Sequence, residues 1–70
     1  MEEYLYTVEE MAKILKVNTS TVYKLIKMGY LTTLKLGRYK ITKFELLRFL
    51  KKYNGMDLTD LADVKEVTFQ

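Results

Sequence analysis

Seventy residues suffice for one domain with a core so thin that nearly every large apolar residue is needed to fold it. A hydrophobic fraction of 49%, with six Tyr and three Phe, argues for a folded chain, and the absence of Cys and His excludes a disulfide framework and any thiolate or imidazole metal site. The net charge of +3 is the sum of unlike parts: residues 11–53 hold eleven basic residues and one acid, while residues 1–10 carry −4 and residues 54–70 carry −3.

No stretch approaches the ~20 consecutive apolar residues of a membrane span. The start, Met1-Glu2-Glu3-Tyr4, lacks the basic and apolar regions of a signal peptide, so a cytoplasmic protein is expected. Tyr4 and Tyr6 alternate with Leu5, which allows a brief extended segment. Thr7-Val8-Glu9-Glu10 then reads as a capping box, with Thr7 as cap and Glu10 reaching back, and both glutamates suit the positive end of a helix dipole. A first helix is predicted from Val8 to Leu15, with Val8, Met11, Ala12 and Leu15 on one core face.

Only about three residues separate this helix from the next, which starts at the N-cap Asn18 and stops at Gly29. So short a break, with Val17 expected to pack inward, forces a steep crossing and presents the second helix outward. Val22, Leu25 and Ile26 form its apolar stripe. Ser20, Lys24 and Lys27 fall opposite, flanked by Tyr23, so the outer front carries hydroxyl and ammonium groups. Such a front suits a polyanion with readable edges, of which duplex DNA is the first candidate.

Tyr30 and Leu31 are expected to return to the core. Leu34-Lys35-Leu36 and Tyr39-Lys40-Ile41 alternate around Gly37-Arg38, which predicts a β-hairpin with an apolar face and a basic face, the latter carrying Lys35, Arg38 and Lys40. Thr42-Lys43-Phe44-Glu45 reads as a second capping box, opening a third helix from Lys43 to about Tyr53. Phe44, Leu46, Leu47, Phe49, Leu50 and Tyr53 give that helix a broad apolar surface. Glu45, Arg48 and Lys52 form its wet stripe, and Asn54-Gly55 ends it. The acidic segment 56–70 divides from the domain at 1–55. In it Leu58, Leu61 and Ala62 fit a turn and a half of helix, and residues 64–69 fit an extended run.

The order is capped helix, short turn, basic helix, basic hairpin, capped helix. With Tyr6-Thr7-Val8-Glu9-Glu10-Met11-Ala12, Leu15, Val17 through Ile26, Gly29-Tyr30-Leu31 and Lys35 through Ile41, the chain resembles the excisionase-type branch of the MerR-like winged helix-turn-helix proteins over about Tyr6 to Leu50. The resemblance implies a mainly α fold of three helices plus a wing, DNA binding and a bacterial or phage origin. It places the second helix in the major groove and the wing on the neighbouring minor groove and backbone. Its members steer a phage or transposon recombinase toward excision, or regulate transcription. Here the long dimerising coiled coil and the effector domain with ligand cysteines of the larger regulators are missing, which argues against a metal- or drug-sensing activator.

The residues expected at DNA are Thr19, Ser20, Thr21, Tyr23, Lys24 and Lys27 on the second helix and Lys35, Arg38, Tyr39 and Lys40 on the wing. Thr19, Ser20 and Thr21 either bind a phosphate at the helix N-terminus or serve only as caps. Tyr23 either touches a sugar or thymine methyl or packs against the hairpin. Arg38 suits a narrow minor groove, where the negative potential is strongest. Arg48, Lys51 and Lys52 read as solubilising charges. Glu9, Glu10 and Glu45 sit in capping boxes with no paired-carboxylate site, phosphate loop or metal-ligand spacing, so neither catalysis nor a cofactor is expected. The expected partner is duplex DNA, with a recombinase or further copies of the chain beside it. A protein-interaction module built on the acidic ends and apolar tail, and a structured RNA target, are the rival readings. A deep, narrow A-form groove suits a protruding helix poorly.

Overall fold

The computed structural model describes residues 4–67. Strand β1 (Leu5–Thr7) leads into helix α1 (Val8–Leu15), followed by α2 (Thr19–Lys27), β2 (Leu34–Leu36), β3 (Arg38–Thr42), α3 (Lys43–Tyr53), β4 (Met56–Asp57) and β5 (Lys65–Glu66). This is the three-helix, winged helix-turn-helix arrangement that the element order predicts.

Local chemistry sets each helix start. Thr7 Oγ1 accepts from the Glu10 amide at 3.1 Å and Glu10 Oε1 accepts from the Thr7 amide at 2.9 Å, so the first capping box is complete. α1 ends with Lys16 in the left-handed region at φ 58°, and the Val17 amide reaches back to the Ala12 carbonyl at 3.0 Å. That reversal leaves only Lys16, Val17 and Asn18 between the two helices. It also turns Val17 outward, 40% exposed, contrary to its expected inward packing. α2 is capped at Met28, and the following Gly29, at φ +85°, lets the Tyr30 and Leu31 amides both close on the Leu25 carbonyl.

The core is a single cluster: Val8, Met11 and Ala12 from α1, Val22 and Leu25 from α2, Leu31 from the following turn, Ile41 from β3, and Leu46 and Phe49 from α3. Met11, Val22, Leu31 and Ile41 are fully enclosed. At ~1.5–3 kcal/mol for each fully buried aliphatic side chain, these four hold the helix pair, the turn and the wing root to one another. The broad apolar surface expected of α3 is only half used. Leu46 and Phe49 are buried, while Phe44, Leu47 and Leu50 face solvent.

β3 is the central strand of a three-stranded antiparallel sheet ordered β1-β3-β2, so the lead-in segment is a sheet member, paired Leu5 to Thr42, Tyr6 to Ile41 and Thr7 to Lys40. β4 and β5 form a separate two-stranded ladder in the C-terminal segment. Leu58, Leu61 and Ala62 form no helical turn and a half. Residues 59–63 are bends and turns, in which Asp57 Oδ1 accepts from the Thr59 amide and Asp60 Oδ1 from the Ala62 amide. These side chains give the backbone donors a local alternative to helix. Of the expected extended run 64–69, β5 accounts for Lys65 and Glu66, and residues 68 and 69 lie outside the described residues.

Candidate nucleic-acid interface

α2 presents the candidate face. Val22 and Leu25 are buried beneath it, whereas Thr19, Ser20, Tyr23, Lys24 and Lys27 are exposed and Thr21 is half-buried. At 100° per residue, Ser20, Tyr23, Lys24 and Lys27 occupy the arc opposite the core. The helix start is knit by Asn18, whose Oδ1 accepts from the Thr21 amide at 3.0 Å, the Ser20 hydroxyl at 2.7 Å and the Thr21 hydroxyl at 2.9 Å. Both hydroxyl protons are therefore engaged in the cap, leaving their oxygens as acceptors only, and an anion there meets backbone amides before side-chain donors.

Tyr23 lies where α2 meets the wing. A small cleft is lined by Tyr23 together with Arg38, Tyr39 and Lys40 of β3 and Thr7, Val8 and Glu9 at the start of α1. Lys27 is one turn along from Tyr23, so this tyrosine stands between the basic strip of the helix and the wing. On its other flank, Lys24 and Lys27 border a second groove with Thr21, Met28 and residues 58–62. The C-terminal segment thus lies beside the candidate recognition helix, a placement that no local feature of the sequence signals.

The wing corrects one expectation. In the observed register Leu34 pairs with Lys40, Lys35 with Tyr39 and Leu36 with Arg38. Directly paired residues of an antiparallel ladder share a face. Leu34 and Leu36 therefore lie with Lys40 and Arg38 on one side, and Lys35 lies with Tyr39 on the other. The predicted separation into an apolar and a basic face does not occur, because alternation along each strand leaves out the register that the turn at Gly37, φ +74°, imposes. Leu34 and Leu36 are 44% and 60% exposed. The Lys35 ammonium sits 5.4 Å from the Tyr39 ring centroid, a cation–π contact.

The turn between α2 and the wing is fastened to α3. Glu45 Oε2 accepts from the Thr32 amide at 2.8 Å, and the Glu45 carboxylate is gripped at both oxygens by Arg48, Nε to Oε1 at 2.7 Å and Nη2 to Oε2 at 2.5 Å. Arg48 also donates to the Tyr30 carbonyl at 3.2 Å. The second capping box is accordingly half made. Thr42 Oγ1 accepts from the Glu45 amide at 3.0 Å, but the Glu45 carboxylate turns to Thr32 and Arg48. The Arg48 guanidinium holds the Glu45 carboxyl below its ordinary value, against the opposing pull of burial, and the Thr32 amide adds to the lowering. Arg48, which the sequence suggests is a solubilising charge, is a structural partner. The Thr-x-x-Glu spacing points to Glu45, but nothing local signals that its partner lies thirteen residues back.

Among the described residues, no group of three or more His, Cys, Asp or Glu is placed to hold a metal ion, and no helix is long and apolar enough to cross a membrane. Comparison with curated proteins gives no match, and neither does comparison with solved structures. A family model described as a helix-turn-helix domain matches residues 5–54, from β1 to the end of α3. With that match over most of the chain, on a capped helix pair followed by a wing, the chain belongs to the helix-turn-helix domain family of DNA-binding proteins.

Proposed function

We propose that the protein is a sequence-specific duplex-DNA-binding accessory factor of excisionase type, which directs site-specific recombination of a mobile element and has no catalysis of its own. α2 enters the major groove, where Ser20, Tyr23, Lys24 and Lys27 meet base edges and phosphates. Arg38, Lys40, Lys35 and Tyr39 of the wing address the neighbouring minor groove and backbone, and Thr19 and Thr21 lie at the helix start beside a phosphate. The observation that carries this reading is the junction at Tyr23, which stands on the exposed face of α2 beside Lys24 and Lys27 and itself lines a cleft with Arg38 and Lys40 of the wing. Each phosphate partner fixes register, while each well-made base pairing discriminates by ~1–3 kcal/mol. A single domain covers few base pairs, so the role requires several copies or a recombinase alongside.

A small transcriptional regulator would use the same interface, and the sequence of the bound site decides between the two. The rival of another class, a protein-interaction module, works through the acidic ends and apolar tail, and the exposed Phe44, Leu47 and Leu50 on α3 give it a further apolar surface. Footprinting on DNA flanking the encoding gene, with the native chain and with Lys24→Glu/Arg38→Glu, tests the proposal. Protection at recombination ends that the double variant abolishes supports it. Protection confined to a promoter supports the regulator. Undetectable duplex binding at low salt supports the interaction module.

A further inference from the structure

We propose that Glu45 and Arg48 are positioning residues that fix the angle of the wing relative to the recognition helix; this rests on the DNA-binding interface proposed above. The two DNA-facing elements, α2 and β2–β3, are joined by residues 28–33. Within that join two residues are held from α3 and the one between them is anchored in the core. The Tyr30 carbonyl accepts from Arg48, the Leu31 side chain is fully buried, and the Thr32 amide donates to Glu45. Only Thr33 intervenes before β2, so the orientation of the Thr32 peptide sets the direction in which the wing leaves.

Two features mark this as a brace between elements and not a helix-surface ion pair. The Glu45 side chain is only 11% exposed, unlike an ordinary i,i+3 partner. Both Glu45 carboxylate oxygens are engaged at once, one by Arg48 Nε and the other shared between Arg48 and the Thr32 amide, while Arg48 spans from Glu45 to the Tyr30 carbonyl. A lysine at position 48 keeps the charge but lacks the planar fork needed to reach carboxylate and carbonyl together. Neither residue lies among those proposed to touch DNA, so the pair acts through the wing.

The test uses the full chain with Glu45→Ala and Arg48→Lys, a duplex from the protected region, binding titrations across a salt series, hydroxyl-radical footprints and a parallel thermal melt. Both variants are expected to bind more weakly while still folded. The slope of log affinity against log salt should fall by about 0.9 for each phosphate that the displaced wing no longer neutralises. Protection should fade at the backbone sugars beside the wing and persist at those flanking α2. In an Arg38→Ala/Lys40→Ala background, Glu45→Ala should then change affinity by less than about twofold, because the wing it positions no longer contributes.

An unchanged slope and footprint in folded Arg48→Lys overturns the brace. So does an equal loss of affinity from Glu45→Ala with and without the wing cations, which marks a general loss of stability. If Lys24→Ala/Lys27→Ala also leaves binding untouched, the interface reading falls and the brace with it. A normal response to those two changes with an unaltered Arg48→Lys overturns the brace alone.

Discussion

Replacing Tyr30 by Phe should loosen the C-terminal segment while leaving the three helices in place. The Tyr30 hydroxyl donates to the Leu61 carbonyl at 2.5 Å, joining residues 31 apart in the sequence at a partly buried site. Leu58 and Leu61 pack against the main core, and the Tyr30 ring meets Tyr53 edge-on at 5.6 Å between centroids. The substitution keeps the ring packing and removes the hydroxyl alone. A hydrogen bond of this kind contributes a net ~1 kcal/mol, and an acceptor left covered without a donor raises the loss toward ~2 kcal/mol. Apart from the packing of Leu58 and Leu61, regular structure adds little, since the β4–β5 ladder is two residues a strand and pairs within the segment itself.

The loss should therefore be felt first as local opening. Amide hydrogen exchange reads it at Val67, whose N–H donates to the Gly55 carbonyl at 2.8 Å and closes the segment. A loss of about 1–2 kcal/mol corresponds to roughly 5–30-fold faster exchange there. Amides in the middle of α1 and α3 should exchange as in the native chain. Unchanged exchange at Val67 would refute the view that residues 56–67 are strapped to the domain through Tyr30. It would favour the alternative, a segment whose surface serves a partner.

Other outcomes follow from the helix ends and the brace. Asn18→Ala removes the one oxygen that serves three donors, and should lower stability by ~1–2 kcal/mol in urea unfolding. Lys16→Gly relieves a side chain held at φ 58° and should raise the unfolding free energy by up to ~1 kcal/mol. The Glu45 carboxyl is held below its ordinary value of 4.5, chiefly by Arg48, with help from the Thr32 amide and the charge of Lys52. Its contribution is thus fully present above pH 4.5 and is lost as the pH falls through the lowered folded value. Urea midpoints of the native chain should drop more steeply over that acid window than those of Glu45→Gln.

The helices are legible in the sequence because their signals are local. A threonine or asparagine cap, a 3.6-residue apolar rhythm and a terminal glycine lie within a few residues of one another, and α1 spans Val8 to Leu15 as expected. The basic front of α2 is legible for the same reason. What escapes depends on pairing at a distance. The wing's faces follow from register, and register follows from how the chain turns at Gly37. The pairing of β1 with β3 joins Leu5 to Thr42 and leaves no mark on the short lead-in. Glu45 satisfies the capping-box spacing, yet its carboxylate finds a better partner in Arg48 and in the amide of Thr32. The tail's apolar spacing fits a helix, but its aspartates bind nearby amides and hold it in turns against α2.

The claim that α2 and the wing grip one duplex is tested most directly by the salt dependence of binding. Lys24, Lys27, Arg38 and Lys40, with Lys35 beside Tyr39, supply about four to five phosphate partners, so log affinity should fall against log salt with a slope of about −4. Neutralising Lys24 and Arg38 together should reduce the steepness by about 1.8, one phosphate from each element. A slope near zero, or one that the double change leaves as it was, would contradict the account.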